Sequence, residues 1–94
     1  MAKIQYKWAT LGTGVIANEL AEAMSALGGQ LYSVANRTYE KALAFAERYG
    51  IETVYKEVED LFEDSQVDII YIATPHNTHI HYLRKALAAG KHVL

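Results

Sequence analysis

The sequence predicts an α/β domain in which a doubly wound parallel sheet carries helices on both faces. Short segments rich in branched and aromatic residues alternate with segments whose apolar residues have helical spacing. A glycine-rich turn separates the first strand-like segment from the first helical one. The run "VDIIYIAT", residues 67–74, is almost continuously apolar, as expected for a parallel strand that is buried on both faces. Alternation of this kind is typical of parallel sheets.

The first strand and the first helix flank the glycine-rich turn. The segment "IQYKWATL", residues 4–11, is rich in aromatic and branched residues and stops at a glycine, so it predicts a strand. Residues 15–27 then predict a helix that ends at Gly28 and Gly29. The residues expected on the inward face of this helix are Ile16, Leu20, Ala23 and Leu27.

A second strand and a second helix follow. The segment "LYSVAN", residues 31–36, predicts the strand. Thr38 is the expected N-cap of a helix over residues 39–49, which Gly50 closes. The residues expected to face inward from this helix are Leu43 and Ala46.

The rest of the chain continues the alternation of strands and helices. The expected elements are a strand over residues 52–55, a short acidic helix over 57–64, the buried strand over 67–74, a helix over 79–90 and a fifth strand over 91–94. The sequence stops inside the last apolar run, whereas natural chain ends are more often polar and frayed. We therefore expect residues 1–94 to be an incomplete domain, truncated at the fifth strand.

Length and composition restrict the class of protein. Ninety-four residues allow one small domain, and 51% hydrophobic with 21% charged residues is ordinary for a globular chain. The net charge of −2, with both signs interspersed, favours no nucleic-acid partner. No segment is long and apolar enough to predict a signal peptide or a membrane span. The absence of cysteine fits a cytoplasmic location.

The turn "GTGVIA", residues 12–17, predicts a dinucleotide-binding site. It fits the pattern G-x-G-x-x-G/A, in which the first glycine permits the tight turn and the second lets backbone approach a pyrophosphate. Ala17 is small enough for close packing of helix on strand. A strand precedes the motif and a helix follows it, as the motif requires; the alternative is a βα turn that binds nothing. The predicted phosphate-binding residues are Gly12, Thr13, Gly14, Val15 and Ile16.

The end of the second strand indicates which dinucleotide binds. NAD-binding proteins place Asp or Glu there for the ribose hydroxyls, whereas NADP-binding proteins use a nearby arginine for the 2′-phosphate. This chain has Asn36, Arg37 and Thr38 at these positions. A guanidinium can bind a phosphate bidentately, so NADP is favoured. NAD is the alternative cofactor, since Asn36 can also hydrogen-bond a ribose; in that case Arg37 is a solvated surface residue.

The stretch "TPHNTHIHYL" contains three of the four histidines, which raises the question of a metal site. His79 and His81 are two residues apart on the predicted helix and therefore face opposite sides. His76 and His79 alone give two ligands, and no carboxylate or cysteine nearby completes a site. We predict no metal. We place His76 and Asn77 in a loop beside the nicotinamide end of the cofactor, and we expect the following helix to have its N-cap at Asn77 or Thr78. The residues predicted to line that end are Ala73, Thr74, Pro75, His76, Asn77 and His79.

The motifs "LGTGVIA", "VANRT" and "DIIYIATPHNTHIHYLRKALAAGKHVL" together resemble the glucose–fructose oxidoreductase / inositol dehydrogenase / MocA (Gfo/Idh/MocA) family. The stretch "KWATLGTGVIA" is most similar to its dihydrodiol dehydrogenase branch. The resemblance implies an N-terminal NAD(P)-binding Rossmann fold and a second, substrate-binding domain that is absent here. It also implies oxidation or reduction of a carbon–oxygen bond on a sugar, cyclitol or diol. The family's catalytic lysine follows "GKHVL", so the resemblance assigns no catalytic residue to this chain. His79 matches a family histidine beside the cofactor; the alternative is that it forms a hydrogen bond at the helix N-terminus without contacting a ligand.

Two other functions remain open at this point. One is a non-catalytic dinucleotide sensor or assembly domain, and the other is a different nucleotide-linked Rossmann enzyme such as a methyltransferase. The "TPHNTH" and "GKHVL" motifs disfavour the second of these. We expect the 94-residue chain itself to lack activity. We also expect it to form homodimers through its exposed edge strand.

Overall fold

The computed structural model describes residues 6–74 and 76–94, with side chains for all of these except residues 76–78. Within this part of the chain, five strands alternate with four helices in the predicted order. The strands are β1 Trp8–Leu11, β2 Ser33–Ala35, β3 Thr53–Val54, β4 Ile69–Ile72 and β5 His92–Val93. The helices are α1 Val15–Ala26, α2 Tyr39–Tyr49, α3 Val58–Glu63 and α4 His76–Ala88.

The five strands form one parallel sheet in the order β3-β2-β1-β4-β5. The central strand β1 pairs with β2 on one side and with β4 on the other, so that Leu11 lies opposite both Ala35 and Ile72. From β1 the chain winds outward through β2 and β3, then returns to the centre and winds outward through β4 and β5. The reversal confirms the doubly wound sheet and places the ligand crevice at the carboxyl ends of β1, β2 and β4.

Helices cover both faces of the sheet and bury two apolar clusters. On one face, α1 and α2 contribute Ala17 and Phe45 to a cluster against β2. On the other face, α3 and α4 contribute Leu61 and Tyr82 to a second cluster. Leu61 is fully buried, and burial of a leucine stabilises a fold by about 1.5–3 kcal/mol. The two clusters hold the strand ends, and hence the crevice, in fixed positions.

The inward face predicted for α1 is confirmed only at Leu20, which is partly buried and packs against the apolar cluster on this face. Ile16 and Leu27 are 55% and 88% exposed, whereas Ala17 and Ala21 are buried. The glycine turn brings the start of α1 close to the sheet, so small residues face the strands and the larger Ile16 is displaced to the side. The predicted role of Ala17 in close helix–strand packing agrees with its complete burial.

Helix α2 has the predicted bounds, and the predicted inward position of Ala46 is confirmed, but that of Leu43 is wrong. Leu43 is 42% exposed, and the buried stripe is formed by Ala42, Phe45 and Ala46. Leu43 lies beside this i, i+3, i+4 stripe and therefore points away from the sheet. Thr38 occupies the N-cap position without a side-chain capping bond, so the capping interaction expected there is absent.

Helix α4 begins three residues before its predicted start. Its first residue is His76, so the backbone of His76 and Asn77 lies in the first helical turn and the predicted loop assignment is wrong. Pro75 itself lies outside the described residues. Apolar spacing specifies the buried face of a helix and only weakly its first residue, so the predicted start is placed too late.

A polar cluster lies near the amino-terminal ends of β2 and β5. The crevice lies at the opposite, carboxyl-terminal ends of the strands. Asp64, directly after α3, accepts hydrogen bonds from the hydroxyls of Tyr55 and Tyr32 at 2.5 and 3.2 Å. Burial raises the pKa of Tyr55, and its hydrogen bond to Asp64 adds to the rise. Burial acts to raise the pKa of the Asp64 carboxyl as well, but the bonds from Tyr55 and the Gln66 N–H outweigh it and leave that pKa below its usual value.

Candidate functional site

The turn between β1 and α1 depends on the glycine at position 12. Its φ of +110° is one that L side chains rarely adopt. Its N–H donates to the Ala35 carbonyl oxygen at 2.8 Å, and an added Cβ would lie 2.5 Å from the Ala73 carbonyl oxygen. The turn therefore passes between the ends of β2 and β4 at a distance that only glycine allows.

Gly14 is the N-cap of α1 and opens the helix N-terminus to the crevice. An added Cβ at Gly14 would meet nothing within 4 Å, so a side chain here would project into open space. The first turn of α1 contains no acidic side chain. The first N–H groups of a helix have no intrahelical partner and lie at the positive end of its dipole. This end of α1 is therefore suited to a phosphate group.

Asn18 links the glycine turn to α2, a role that the sequence motif did not indicate. Its Nδ2 donates to the carbonyl oxygens of Thr13 and Gly14 at 3.2 and 2.8 Å. Its Oδ1 accepts from the Tyr49 hydroxyl at 2.6 Å and from Arg48 Nη1 at 3.1 Å. The only signal in the sequence is an asparagine in a first helical turn, where such side chains commonly bond backbone four residues earlier.

The connection from β2 to α2 contributes polar and cationic groups. Asn36 Nδ2 donates to the Thr38 carbonyl oxygen at 3.1 Å, which shapes the turn into α2. Arg37 and Thr38 are exposed, and Lys41, one helical turn beyond Arg37, lines the same crevice. Arg48 lines it as well, so three cations and no carboxylate occur among the described lining residues. The electrostatic character of the crevice favours an anionic ligand.

The end of β4 closes the opposite side of the crevice. The Ala73 N–H donates to the Leu11 carbonyl oxygen at 2.8 Å, which holds this end against the glycine turn. The Thr74 hydroxyl oxygen is buried and has no hydrogen-bond partner in the described part of the chain. His79 is half-buried and lines the crevice, whereas His81 is exposed with its ring edge-on to Tyr82. The two histidines thus face different sides, as their spacing predicts.

The crevice bordered by these elements is an open groove with a volume of about 1410 Å³. This volume exceeds the roughly 300–1,000 Å³ of common small-molecule pockets. The predicted site residues that line it are Gly12, Thr13, Gly14, Val15, Ile16, Asn36, Arg37, Thr38, Ala73, Thr74 and His79. Pro75 and the side chains of His76 and Asn77, which were also predicted here, lie outside what the structure describes. The lining residues that the sequence did not indicate are Asn18, Lys41, Ala44, Phe45, Arg48, Tyr71 and Ile72.

No group of three or more His, Cys, Asp or Glu side chains in the described part of the chain is arranged to hold a metal ion. Among the described helices, none combines the length and apolarity needed to span a membrane.

Comparison with known proteins gives consistent matches along the whole described chain. Trans-1,2-dihydrobenzene-1,2-diol dehydrogenase of Mus musculus is 36% identical over 91 residues, which cover 94% of this chain and 27% of that protein. For 1,5-anhydro-D-fructose reductase of Ensifer adhaerens the identity is 35% over 89 residues, with the same two coverages. The crystal structure of a 3-ketoreductase from Actinomadura kijaniata, in complex with NADP and TDP-benzene, superposes with a TM-score of 0.84 at 31% identity. That match covers 95% of this chain and 28% of the other.

The chain spans about 27% of the length of the curated relatives it matches. The family model described as "oxidoreductase family, NAD-binding Rossmann fold" (GFO_IDH_MocA) matches residues 6–94. This is the family indicated by the sequence motifs, and its fold is the one that the parallel sheet and the glycine turn form. The chain therefore belongs to the Gfo/Idh/MocA oxidoreductase family and has the NAD-binding Rossmann fold of that family.

Proposed function

We propose that this chain binds an NADP dinucleotide in the groove and is the cofactor-binding part of an oxidoreductase. The observation that carries the proposal is that the glycine turn, the cationic β2–α2 connection and the end of β4 converge on one crevice. The proposed pyrophosphate contacts are Gly12, Thr13, Gly14, Val15 and Ile16; the adenosine ribose contacts are Asn36, Arg37 and Thr38; and the nicotinamide-side contacts are Ala73, Thr74, Pro75, His76, Asn77 and His79.

Two features of the groove support a dinucleotide in this position. The open space at Gly14 lets the backbone N–H groups of the turn approach a pyrophosphate without a side chain between them. The buried Thr74 hydroxyl has no partner among the described residues, and a buried polar atom of this kind is stabilised when a ligand supplies one. Both ends of the groove therefore offer groups that a bound dinucleotide satisfies.

The preference for NADP over NAD rests on charge. Arg37 is exposed beside Thr38, and Lys41 lines the groove one helical turn further along. A 2′-phosphate next to these cations forms charge-assisted hydrogen bonds, which are stronger than neutral ones. The similar 3-ketoreductase was solved with NADP. NAD is the alternative cofactor, because Asn36 can hydrogen-bond an unmodified ribose.

For the whole protein we propose oxidation or reduction of a carbon–oxygen bond on a sugar, cyclitol or diol. The names of the similar diol dehydrogenase and anhydrofructose reductase support this substrate class. The bound dinucleotide supplies the hydride chemistry, while the residues of this chain bind and orient it. No catalytic residue is proposed within residues 1–94, and the proposed location is cytoplasmic. Because β5 is an edge strand of the sheet, we also propose that this 94-residue chain forms homodimers by strand pairing.

Calorimetric titration with NADP⁺ and NAD⁺ tests the cofactor proposal. We expect NADP⁺ to bind about tenfold to a hundredfold more tightly, because a hydrogen bond to a charged group contributes about 1.5–3 kcal/mol. Arg37→Ala should remove most of this preference and leave NAD⁺ binding intact. Arg84→Ala is the matched control, since Arg84 is an exposed arginine on α4 outside the groove lining.

The outcomes separate the two parts of the proposal. A protein that binds neither dinucleotide contradicts the proposed function as a whole. Equal affinities for both dinucleotides, unchanged by Arg37→Ala, contradict only the NADP preference and assign Arg37 to the solvated surface.

A further inference from the structure

The orientation of the Asn18 amide is determined by its four partners. A guanidinium can only donate hydrogen bonds and a backbone carbonyl can only accept them. Oδ1 must therefore face Arg48 and Nδ2 must face the carbonyls of Thr13 and Gly14. The amide uses both of its N–H donors and both acceptor positions of its oxygen. A flip would lose the bonds to Arg48 and to both carbonyls, because only the Tyr49 hydroxyl can also accept a hydrogen bond.

The same bonds fix the direction of two backbone N–H groups in the turn. The peptide bond is planar and trans, so its C=O and its N–H point in opposite directions. The carbonyl of Thr13 shares a peptide group with the Gly14 N–H, and the carbonyl of Gly14 shares one with the Val15 N–H. When Asn18 holds both carbonyls, the two N–H groups are turned away from Asn18. These are the donors that the proposed pyrophosphate site uses.

Asn18 is itself held by the last residue of α2. Tyr49 is half-buried and its ring packs against Phe45, with ring centroids 4.9 Å apart. Its hydroxyl donates to Asn18 Oδ1 at 2.6 Å. Because Phe45 is only 4% exposed, the Tyr49 ring has a rigid neighbour and the hydroxyl is a fixed anchor. Helix α2 begins beside Arg37, so one helix supports the ribose end of the groove and the pyrophosphate end.

We propose that Asn18 and Tyr49 are positioning residues that pre-organise the glycine turn for phosphate binding. The inference rests on the proposed dinucleotide function and deepens it. Neither residue needs to contact the cofactor through its side chain. They act by removing alternative orientations of the Gly14 and Val15 N–H groups before the cofactor arrives, which lowers the ordering cost of binding.

The test compares two tyrosine-to-phenylalanine substitutions in the protein. Tyr49→Phe removes the shorter of the two hydrogen bonds to Asn18 Oδ1 and leaves the bond from Arg48 in place. Tyr32→Phe is the matched control. The Tyr32 hydroxyl also donates to a side-chain oxygen, Asp64 Oδ2 at 3.2 Å, but this bond lies at the amino-terminal ends of the strands, away from the groove. The dissociation constant for NADP⁺ is measured calorimetrically, well below the unfolding midpoint of each variant. Backbone amide chemical shifts of the unliganded proteins report the turn directly.

We expect Tyr49→Phe to raise the NADP⁺ dissociation constant about three- to tenfold and to shift the amide signals of Gly14 and Val15. Tyr32→Phe should lower the unfolding midpoint and change neither quantity. Asn18→Leu, which keeps the side-chain size and removes all four bonds, should weaken binding about tenfold or more.

Each failure has a separate meaning. If neither Tyr49→Phe nor Asn18→Leu changes the dissociation constant for NADP⁺, the inference is overturned and the proposed function stands. Equal loss of affinity in Tyr49→Phe and Tyr32→Phe also overturns it, because the effect then follows general stability. A wild-type protein that binds no dinucleotide overturns the proposed function and this inference together.

Discussion

Substitution of Gly12 by alanine should destabilise the fold far more than substitution of a comparable glycine elsewhere. The backbone at Gly12 has φ +110°, where a side chain costs about 1–3 kcal/mol in strain. The new Cβ would also lie 2.5 Å from the Ala73 carbonyl oxygen, and overpacking of this kind adds about 1–3 kcal/mol. We therefore expect Gly12→Ala to lower the free energy of unfolding by about 4 kcal/mol.

Gly28→Ala is the matched control for this substitution. Gly28 has φ +81°, but an added Cβ there meets nothing within 4 Å, so only the left-handed strain of about 1–2 kcal/mol applies. Urea unfolding can be followed through the fluorescence of Trp8, the single tryptophan of the chain, and thermal unfolding by circular dichroism. An excess loss of about 2 kcal/mol corresponds to a melting temperature about 8–16 °C lower for Gly12→Ala than for Gly28→Ala. Equal losses in the two variants would refute the close approach of the turn to β4.

Three further predictions concern stability. Because the pKa of Asp64 is lowered, its carboxylate contributes fully to the free energy of unfolding above pH 3.8, and this contribution is lost as the pH falls through the lower folded-state pKa. Asp64→Asn should therefore weaken the dependence of stability on pH at acid pH, as measured by urea titrations. The raised pKa of Tyr55 predicts a contribution to the free energy of unfolding that is complete below pH 10.0 and is lost as the pH rises toward the folded-state value, so Tyr55→Phe should flatten the alkaline limb of the same titrations. Leu61→Ala should cost about 2–5 kcal/mol of unfolding free energy, and a loss below 1 kcal/mol would contradict the packing of α3; Leu27→Ala, at a position 88% exposed, should change it by less than about 0.5 kcal/mol.

The order of elements and the groove-forming segments could be predicted because their signals are local. Apolar runs, helical spacing and glycines lie next to one another along the chain, and the G-x-G-x-x-A turn requires only a strand before it and a helix after it. Gly50 illustrates the point: it closes α2 at the predicted residue with a left-handed φ of +68°. The cationic end of the groove at Arg37 could be predicted in the same way, because Arg37 lies directly after the second strand.

Features that depend on how helices meet could not be read from these patterns. Asn18 and Arg48 are 30 positions apart in sequence and come together only when α1 packs beside α2. The exposed Ile16 and Leu43 have the same cause, because the rotation of each helix is set by its contact with the sheet and not by its own apolar residues. Helix ends are equally weakly specified, as the start of α4 at His76 shows.

The central claim is that a dinucleotide binds in the groove at the carboxyl ends of β1, β2 and β4. Amide chemical-shift mapping of the protein during titration with NADP⁺ tests it most directly. We predict that the shifted signals belong to residues 12–18, residues 36–41, residues 73–74 and His79, and that the signals of residues 32 and 64 at the opposite edge do not move. The account is contradicted if saturating NADP⁺ shifts no amide signal, or if it shifts only the signals of residues outside the groove.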